Sequence, residues 1–151
     1  MHAITVTIKG QEPVVVAAGT RISELVPSVD AEGFPVLGAI MNNMVLPLFI
    51  PLVAEATLTP LTIRDPYGWN IYRSSLCFLL AKTAHELFPG IECRVRNSVG
   101  AGLYCTVSWP DLSEGAVKQN VKKLQQAMRE TIRQDLPITM ETVSYGSAVE
   151  L

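Results

Sequence analysis

Charged side chains are scarce in this chain, at 17% of 151 residues, whereas hydrophobic ones reach 48%. That balance excludes a disordered segment, which lacks the apolar residues needed to offset chain entropy. A formal net charge of −2 argues against a protein built mainly to grip nucleic acid. Residues 1–65 carry three basic and six acidic groups and residues 66–151 nine and eight, too small an asymmetry to identify a partner.

Histidine is nearly missing: only His2 and His85 are present. Cysteine is sparse and odd in number, so Cys77, Cys93 and Cys105 cannot all pair within the chain. They are expected to be buried, inert thiols of a cytoplasmic protein in a reducing compartment. A metal site needs three or four ligands at fixed spacing. These cysteines lie 16 and 12 residues apart with no histidine pair nearby, so no metal is expected.

No Gly-x-x-x-x-Gly-Lys-Ser/Thr run occurs, so no ATP site is expected within these residues. Gly100-Ala101-Gly102 lies between two strand-like runs with no helix after it. It reads as a hairpin turn and not an anion cradle. Long apolar runs are lacking too. Met44 to Ala54 is interrupted by Pro47 and Pro51 and is too short to cross a bilayer, so it reads as core. The first residues have no charged region leading an apolar one, so neither a secretory signal nor a membrane partner is expected.

What is present reads as strands, then helices. Ile4–Ile8 alternates apolar and hydroxyl residues, as a half-buried strand should, and residues 14–17 return as its hairpin partner. Gly19-Thr20 is expected to cap a short helix over Arg21–Val26, with Glu24 as the acidic member of a capping box. Val36–Ile40, a turn at Asn42-Asn43 and Val45–Leu48 follow. Leu58–Ile63 is expected to be an edge or bulged strand because Pro60 interrupts it. Asp65-Pro66-Tyr67-Gly68 reads as a linker.

A helix is then expected from about Ile71 to Leu87. Its stripe is Leu76, Leu79, Leu80, Thr83, Ala84 and Leu87, and Pro89-Gly90 ends it. Glu92–Arg96 and Leu103–Ser108 read as paired strands. A long helix from Asp111 to Gln134 carries the stripe Val117, Val121, Leu124, Met128 and Ile132. Lys118, Lys122, Lys123, Arg129 and Arg133 lie off it, which favours a solvated face over one that tracks a phosphate backbone. Ile138–Val143 is expected to be a strand. Ser147 is expected to cap a helix whose single remaining turn is too short to stand alone, which implies a piece of a longer protein.

Candidate chemistry is thin. Ser74 as a nucleophile needs a base within hydrogen-bond reach. His85, eleven residues along the same helix, lies about 16 Å away, so a capping or packing role is preferred for Ser74 and a surface role for His85. No catalytic residue is assigned. Arg73 can hold a carboxylate or phosphate through two parallel hydrogen bonds. Tyr72, Arg73, Ser74, Asn97, Ser98 and Tyr104 are the candidate ligand-binding residues. The alternative is that Arg73 pairs with a local acid and the tyrosines pack.

Residues 3–64 follow the pattern of a β-grasp fold and resemble a TGS domain, including its Asn-rich turn. Ile71–Cys105 resembles the second domain of the amino-terminal region of threonyl-tRNA synthetases. There an Arg-His-Ser-x-x-His helix places two histidines four residues apart, which serve removal of mischarged serine. Here Arg73 and Ser75 match, but Ser74 and Phe78 stand at the histidine positions. The chain also resembles uridine kinase-like nucleoside kinases that carry the same two domains ahead of a P-loop domain. The matching residues are Tyr72, Arg73, Ser75, Leu76, Phe88-Pro89-Gly90, Ser98, Gly102, Tyr104 and Cys105. Ser74 departs from the second arginine of that group.

The resemblance implies an α+β fold: a β-grasp TGS-like domain over 1–65, then an editing-like domain over 66–151 with long helices on an antiparallel sheet, truncated at its C-terminus. It also implies that Tyr72, Arg73, Asn97, Ser98 and Tyr104 line a remnant of the editing cleft. The preferred expectation is a non-catalytic regulatory or ligand-binding region. Its partner would be the C-terminal kinase domain of the same chain, which would phosphorylate a nucleoside using ATP and Mg²⁺. Two alternatives stay open: the amino-terminal region of a threonyl-tRNA synthetase-like editing protein, and a stand-alone tRNA- or nucleotide-binding module.

Overall fold

The computed structural model describes residues 2–100, 102–138 and 142–149. It has an α+β architecture: a five-stranded mixed sheet, then helices with a two-stranded antiparallel sheet. The chain resolves into two compact units, Met1–Phe78 and Leu79–Leu151.

In the first unit, β1 (Ala3–Ile8) alternates exposed and buried residues and pairs antiparallel with β2 (Val14–Ala17). The turn that leaves β2 does not cap the following helix as the sequence suggested. The Thr20 hydroxyl donates back to the Ala17 carbonyl at 2.8 Å, so it is already used. The N-cap of α1 (Ile22–Leu25) is Arg21, whose backbone N–H donates to Glu24 Oε1 at 3.0 Å. That is the acidic half of the expected capping box.

β3 (Gly38–Met41) and β4 (Met44–Leu46) are joined by Asn42 and Asn43, with φ of 51° and 62°. Two consecutive left-handed residues make the tight hairpin turn whose twist matches its strands, and asparagine tolerates that conformation better than most residues.

β5 (Ala56–Leu61) is where the sequence expectation fails. The sheet order is β2-β1-β5-β3-β4, so β5 is central and not at an edge. It runs parallel to β1 through Val6↔Ala56 to Ile8↔Leu58 and antiparallel to β3 through Ile40↔Thr59 to Gly38↔Leu61. Successive residues of a strand face opposite neighbours. The Leu58 carbonyl accepts from Lys9 N–H beside β1, and the Leu61 carbonyl from Leu37 N–H beside β3. Alternation turns the nitrogen of Pro60 toward β1, one step beyond the last rung of that ladder. The pairing with β1 ends at Ile8↔Leu58, so proline's missing N–H falls at the end of that ladder and interrupts no rung within it.

One face of the sheet carries the core: Ile4, Val6, Ile8, Ala39 and Leu58 with Ile22 and Val26 from α1 and its cap, plus Val36 and Leu52. Met44–Ala54 contributes only Leu52 to the fully buried set, and Met44, Val45 and Val53 are exposed. It is less of a core segment than its composition suggests.

The expected linker is helix. α2 (Pro66–Leu87) begins at Pro66, whose fixed φ and missing N–H suit a first helical position. Asp65 turns its carboxylate back to accept the Thr62 N–H at 2.8 Å, and its carbonyl accepts the Trp69 N–H at 2.8 Å. Gly68 then packs directly on Thr62. A Cβ there would collide with the Thr62 carbonyl oxygen and lie 2.6 Å from its carbonyl carbon. One turn on, Ile71 reaches over Gly38 of β3.

In the second unit, Thr83 and Ala84 are buried, Leu79 and Leu80 are half-buried, and Leu87 is exposed. The buried Thr83 hydroxyl donates to the Leu79 carbonyl at 2.7 Å within its own helix. Phe88 meets Trp109 edge to face at 5.0 Å. β6 (Cys93–Val99) and β7 (Gly102–Val107) pair as expected, with Val99 opposite Gly102.

α3 (Glu114–Arg133) starts after Ser113, whose N–H donates to the Asp111 carboxylate at 2.8 Å. That bond holds the Asp111 carboxyl below its usual range. Of the expected stripe only Leu124 is fully buried; Val117 and Met128 are half-buried and Val121 and Ile132 are exposed. The middle of the strand expected over 138–143 lies outside the described residues, and Ile138, Thr142 and Val143 have no regular structure. α4 (Tyr145–Val149) is preceded by Ser144, not Ser147, as its capping serine: Ser144 Oγ accepts the Ser147 N–H at 3.2 Å.

Two glycine-to-alanine substitutions should therefore act in opposite directions. Gly68→Ala should destabilise by about 1–3 kcal/mol, because backbone must move to admit the methyl. Gly115→Ala, where nothing lies within 4 Å of a new Cβ, should stabilise by up to about 1 kcal/mol. Urea unfolding followed by circular dichroism checks both signs.

Candidate functional site

Tyr72, Arg73 and Ser74 lie on α2 within the first unit. The Tyr72 ring is partnered by Trp69, three residues earlier, with centroids 5.7 Å apart and planes tilted by 31°. Both rings are about 40% exposed, which makes an accessible aromatic pair on one helix face. Trp69 was not singled out from sequence, although the i, i+3 spacing of two aromatics was the signal that could have done so. Arg73 is half-buried and engaged within the chain. Ser74 is exposed, and the neighbouring Ser75 hydroxyl donates to the Ile71 carbonyl at 3.0 Å.

Four residues on from Ser74 stands Phe78, 57% exposed. Positions four apart in a helix share a face, so a hydroxyl and an apolar ring stand together there. A phenyl ring has no lone pair, and a serine hydroxyl takes up no proton near neutral pH. His2 and His85 are both exposed. Among the described residues no group of three or more His, Cys, Asp or Glu side chains could hold a metal ion.

Asn97, Ser98 and Tyr104 lie on the β6–β7 hairpin of the second unit. The register reads Val95↔Cys105 and then Asn97↔Tyr104, so Arg96 is an extra residue in β6. Residues directly opposite in a ladder share a face. Asn97 therefore shares a face with Tyr104, while Ser98, opposite Leu103, is turned to the other. The hairpin brings two of its three candidates together and separates the third. Asn97 and Tyr104 are exposed; Ser98 is exposed but engaged within the chain. Arg96 Nε donates to Thr106 Oγ1 at 3.3 Å, which ties the bulge to β7.

The three cysteines are free and half-buried, so the expectation of fully buried thiols is corrected to partial burial. Cys93 and Cys105 sit diagonally across the hairpin. Burial, and to a lesser degree the neighbouring Cys105 sulfur, pushes the Cys93 thiol up from its ordinary value. No helix among the described residues is long and apolar enough to cross a membrane.

No protein-family model matches this chain. Over 149 residues it is 26% identical to the threonine–tRNA ligase of Desulforamulus reducens, covering 97% of this chain and 23% of that protein. The threonine–tRNA ligase of Nitrosococcus oceani is 29% identical over 115 residues, 76% of this chain and 17% of that protein. That of Citrifermentans bemidjiense is 26% identical and aligns with the full chain and 23% of the ligase. The chain is thus homologous to the amino-terminal region of threonine–tRNA ligases, and it spans less than a quarter of the length of these curated relatives. They favour the synthetase-like alternative over the expected uridine kinase parent, which they do not support.

Because its proton is held more tightly, the Cys93 thiol should react slowly with iodoacetamide at pH 8 and speed up in denaturant. The sign for stability follows. A thiol pKa raised by folding adds stability below its unfolded value and loses it as pH rises through the folded one. Cys93→Ser should therefore reduce the loss of stability between neutral and strongly alkaline pH.

Proposed function

We propose that this chain is the amino-terminal region of a threonine–tRNA ligase-like protein and that it works as a non-hydrolytic module. The observation that carries this reading is the alignment along nearly the whole chain with such ligases, combined with Ser74 and Phe78 on α2. Hydrolysis of an aminoacyl ester needs a group that takes a proton from water near neutral pH. Neither side chain provides one. What remains is a scaffold with polar and aromatic contacts: Tyr72 and Arg73 on α2, and Asn97 with Tyr104 on the β6–β7 hairpin.

In this reading residues 1–65 form a TGS-like domain and residues 66–151 an editing-type one, in a cytoplasmic parent that acts on tRNA. A uridine kinase-like parent using ATP and Mg²⁺ is the second reading. It is favoured by the replacement of both histidines and by the Phe88-Pro89-Gly90 and Tyr104-Cys105 residues.

Two measurements test the proposal. Incubated with seryl-tRNA, the chain should release serine no faster than buffer; release above background overturns the non-hydrolytic claim. The parent transcript should encode a synthetase catalytic core, whereas a P-loop kinase sequence there overturns the ligase-like claim.

A further inference from the structure

We propose that Cys93 and Cys105 form a two-coordinate site for monovalent copper on one face of the β6–β7 hairpin. The ladder pairs Cys93 with Val107 and Val95 with Cys105, so the two cysteines hold diagonal positions and share a face. Both lie ahead of the bulge, where the register is unbroken. Each is half-buried and neither forms a disulfide. The two thiols are thus turned to the same side, partly shielded from water but open to a small ion.

Spacing selects the bond that can join them. Diagonal neighbours on a sheet face stand about 7–8 Å apart at Cα, whereas a disulfide reaches across less than about 7 Å. A first-row metal–thiolate bond is about 2.3 Å long, so a straight sulfur–metal–sulfur bridge spans about 4.6 Å where a disulfide spans about 2.0 Å. The longer bridge suits the diagonal without moving backbone.

The donor set selects the ion. Among the described residues no third His, Cys, Asp or Glu joins the pair, so zinc lacks the four ligands of its tetrahedral sites. Val95, Leu103 and Val107 neighbour the pair on that face and offer no side-chain oxygen to a hard cation. Monovalent copper is soft, selects thiolates and is satisfied by two of them in line.

Such an ion also relieves a repulsion. Burial first, and the nearby Cys105 sulfur second, holds the proton on Cys93. A cation between the sulfurs offsets both effects, and a coordinating thiol gives up its proton. Two protons pass to solvent on binding, and the complex carries one net negative charge. The Cys105 thiol donates weakly to the Leu103 carbonyl at 4.0 Å, a bond that its deprotonation gives up at small cost.

The test offers copper(I) to the whole reduced chain, without oxygen, in competition with the chromogenic chelator bicinchoninate. The chain should withdraw one ion, and X-ray absorption should show two sulfur neighbours with no nitrogen or oxygen. Cys93→Ala and Cys105→Ala should each weaken binding by roughly 100-fold or more, since the ion then keeps a single thiolate. Cys77→Ala, on α2 in the other unit, should leave binding unchanged. The absorption measurement uses the unaltered chain, so it stands even if a variant fails to fold.

No withdrawal of copper by the wild-type chain overturns the site. So does a shell of three or more ligands, an equal loss in Cys77→Ala, or copper-dependent pairing of two chains in light scattering. Ready formation of a Cys93–Cys105 disulfide when the folded chain is treated with diamide, read by mass spectrometry, overturns the spacing on which the site rests. These outcomes leave the ligase-like reading untouched, since seryl-tRNA hydrolysis and the parent transcript judge that separately.

Discussion

The close seating of the first turn of α2 on the end of β5 governs what the first unit can present. Gly68 sits against the Thr62 backbone with no room for a methyl group, and the Asp65 carboxylate closes the same corner from the other side. Helical geometry then leaves little freedom. Once the first turn is fixed, each later residue takes its place by a rotation of 100° and a rise of 1.5 Å. Trp69, Tyr72, Ser74 and Phe78 are therefore displayed by a backbone contact that involves none of their side chains.

How far the fold was legible follows from which signals are local. Alternation in Ile4–Ile8, the Asn42-Asn43 turn and the apolar spacing of α3 are short-range patterns, and the elements they imply are present. The failures concern long-range facts. Pro60 argued for an edge because proline spoils a central ladder. That argument omits where the pairing stops: the ladder with β1 ends at Ile8↔Leu58, before Pro60, so the proline interrupts no rung within it. Asp65-Pro66-Tyr67-Gly68 looked like a turn by composition. The same four residues suit a helix start when the glycine is needed for contact and not for conformational freedom. The serines near the C-terminal end show a smaller error of the same kind, since Ser144 takes the capping role assigned to Ser147.

The candidate residues were legible as types and less so as a set. Sequence singles out positions 74 and 78, and Ser74 and Phe78 are both exposed on α2. It missed the Trp69–Tyr72 ring pair, because neither ring belongs to a catalytic pattern. It grouped Asn97 with Ser98, although successive residues of a strand face opposite sides of the hairpin. Similarity to threonine–tRNA ligases supplies a context that these residues could not supply alone, and it shifts the weight away from a kinase parent.

The bulge in β6 has a consequence for how this hairpin can vary. Arg96 is the one residue by which β6 outnumbers its partner, and beyond it every side chain has been turned over relative to an unbroken strand. Substitution at Arg96 leaves that count intact, whereas removing the residue would swap inward and outward positions from Asn97 to Val99 together. The tip of the hairpin is therefore tolerant of changes in chemistry and intolerant of changes in length. An insertion or deletion of a single codon would rewrite its displayed surface more thoroughly than several point changes.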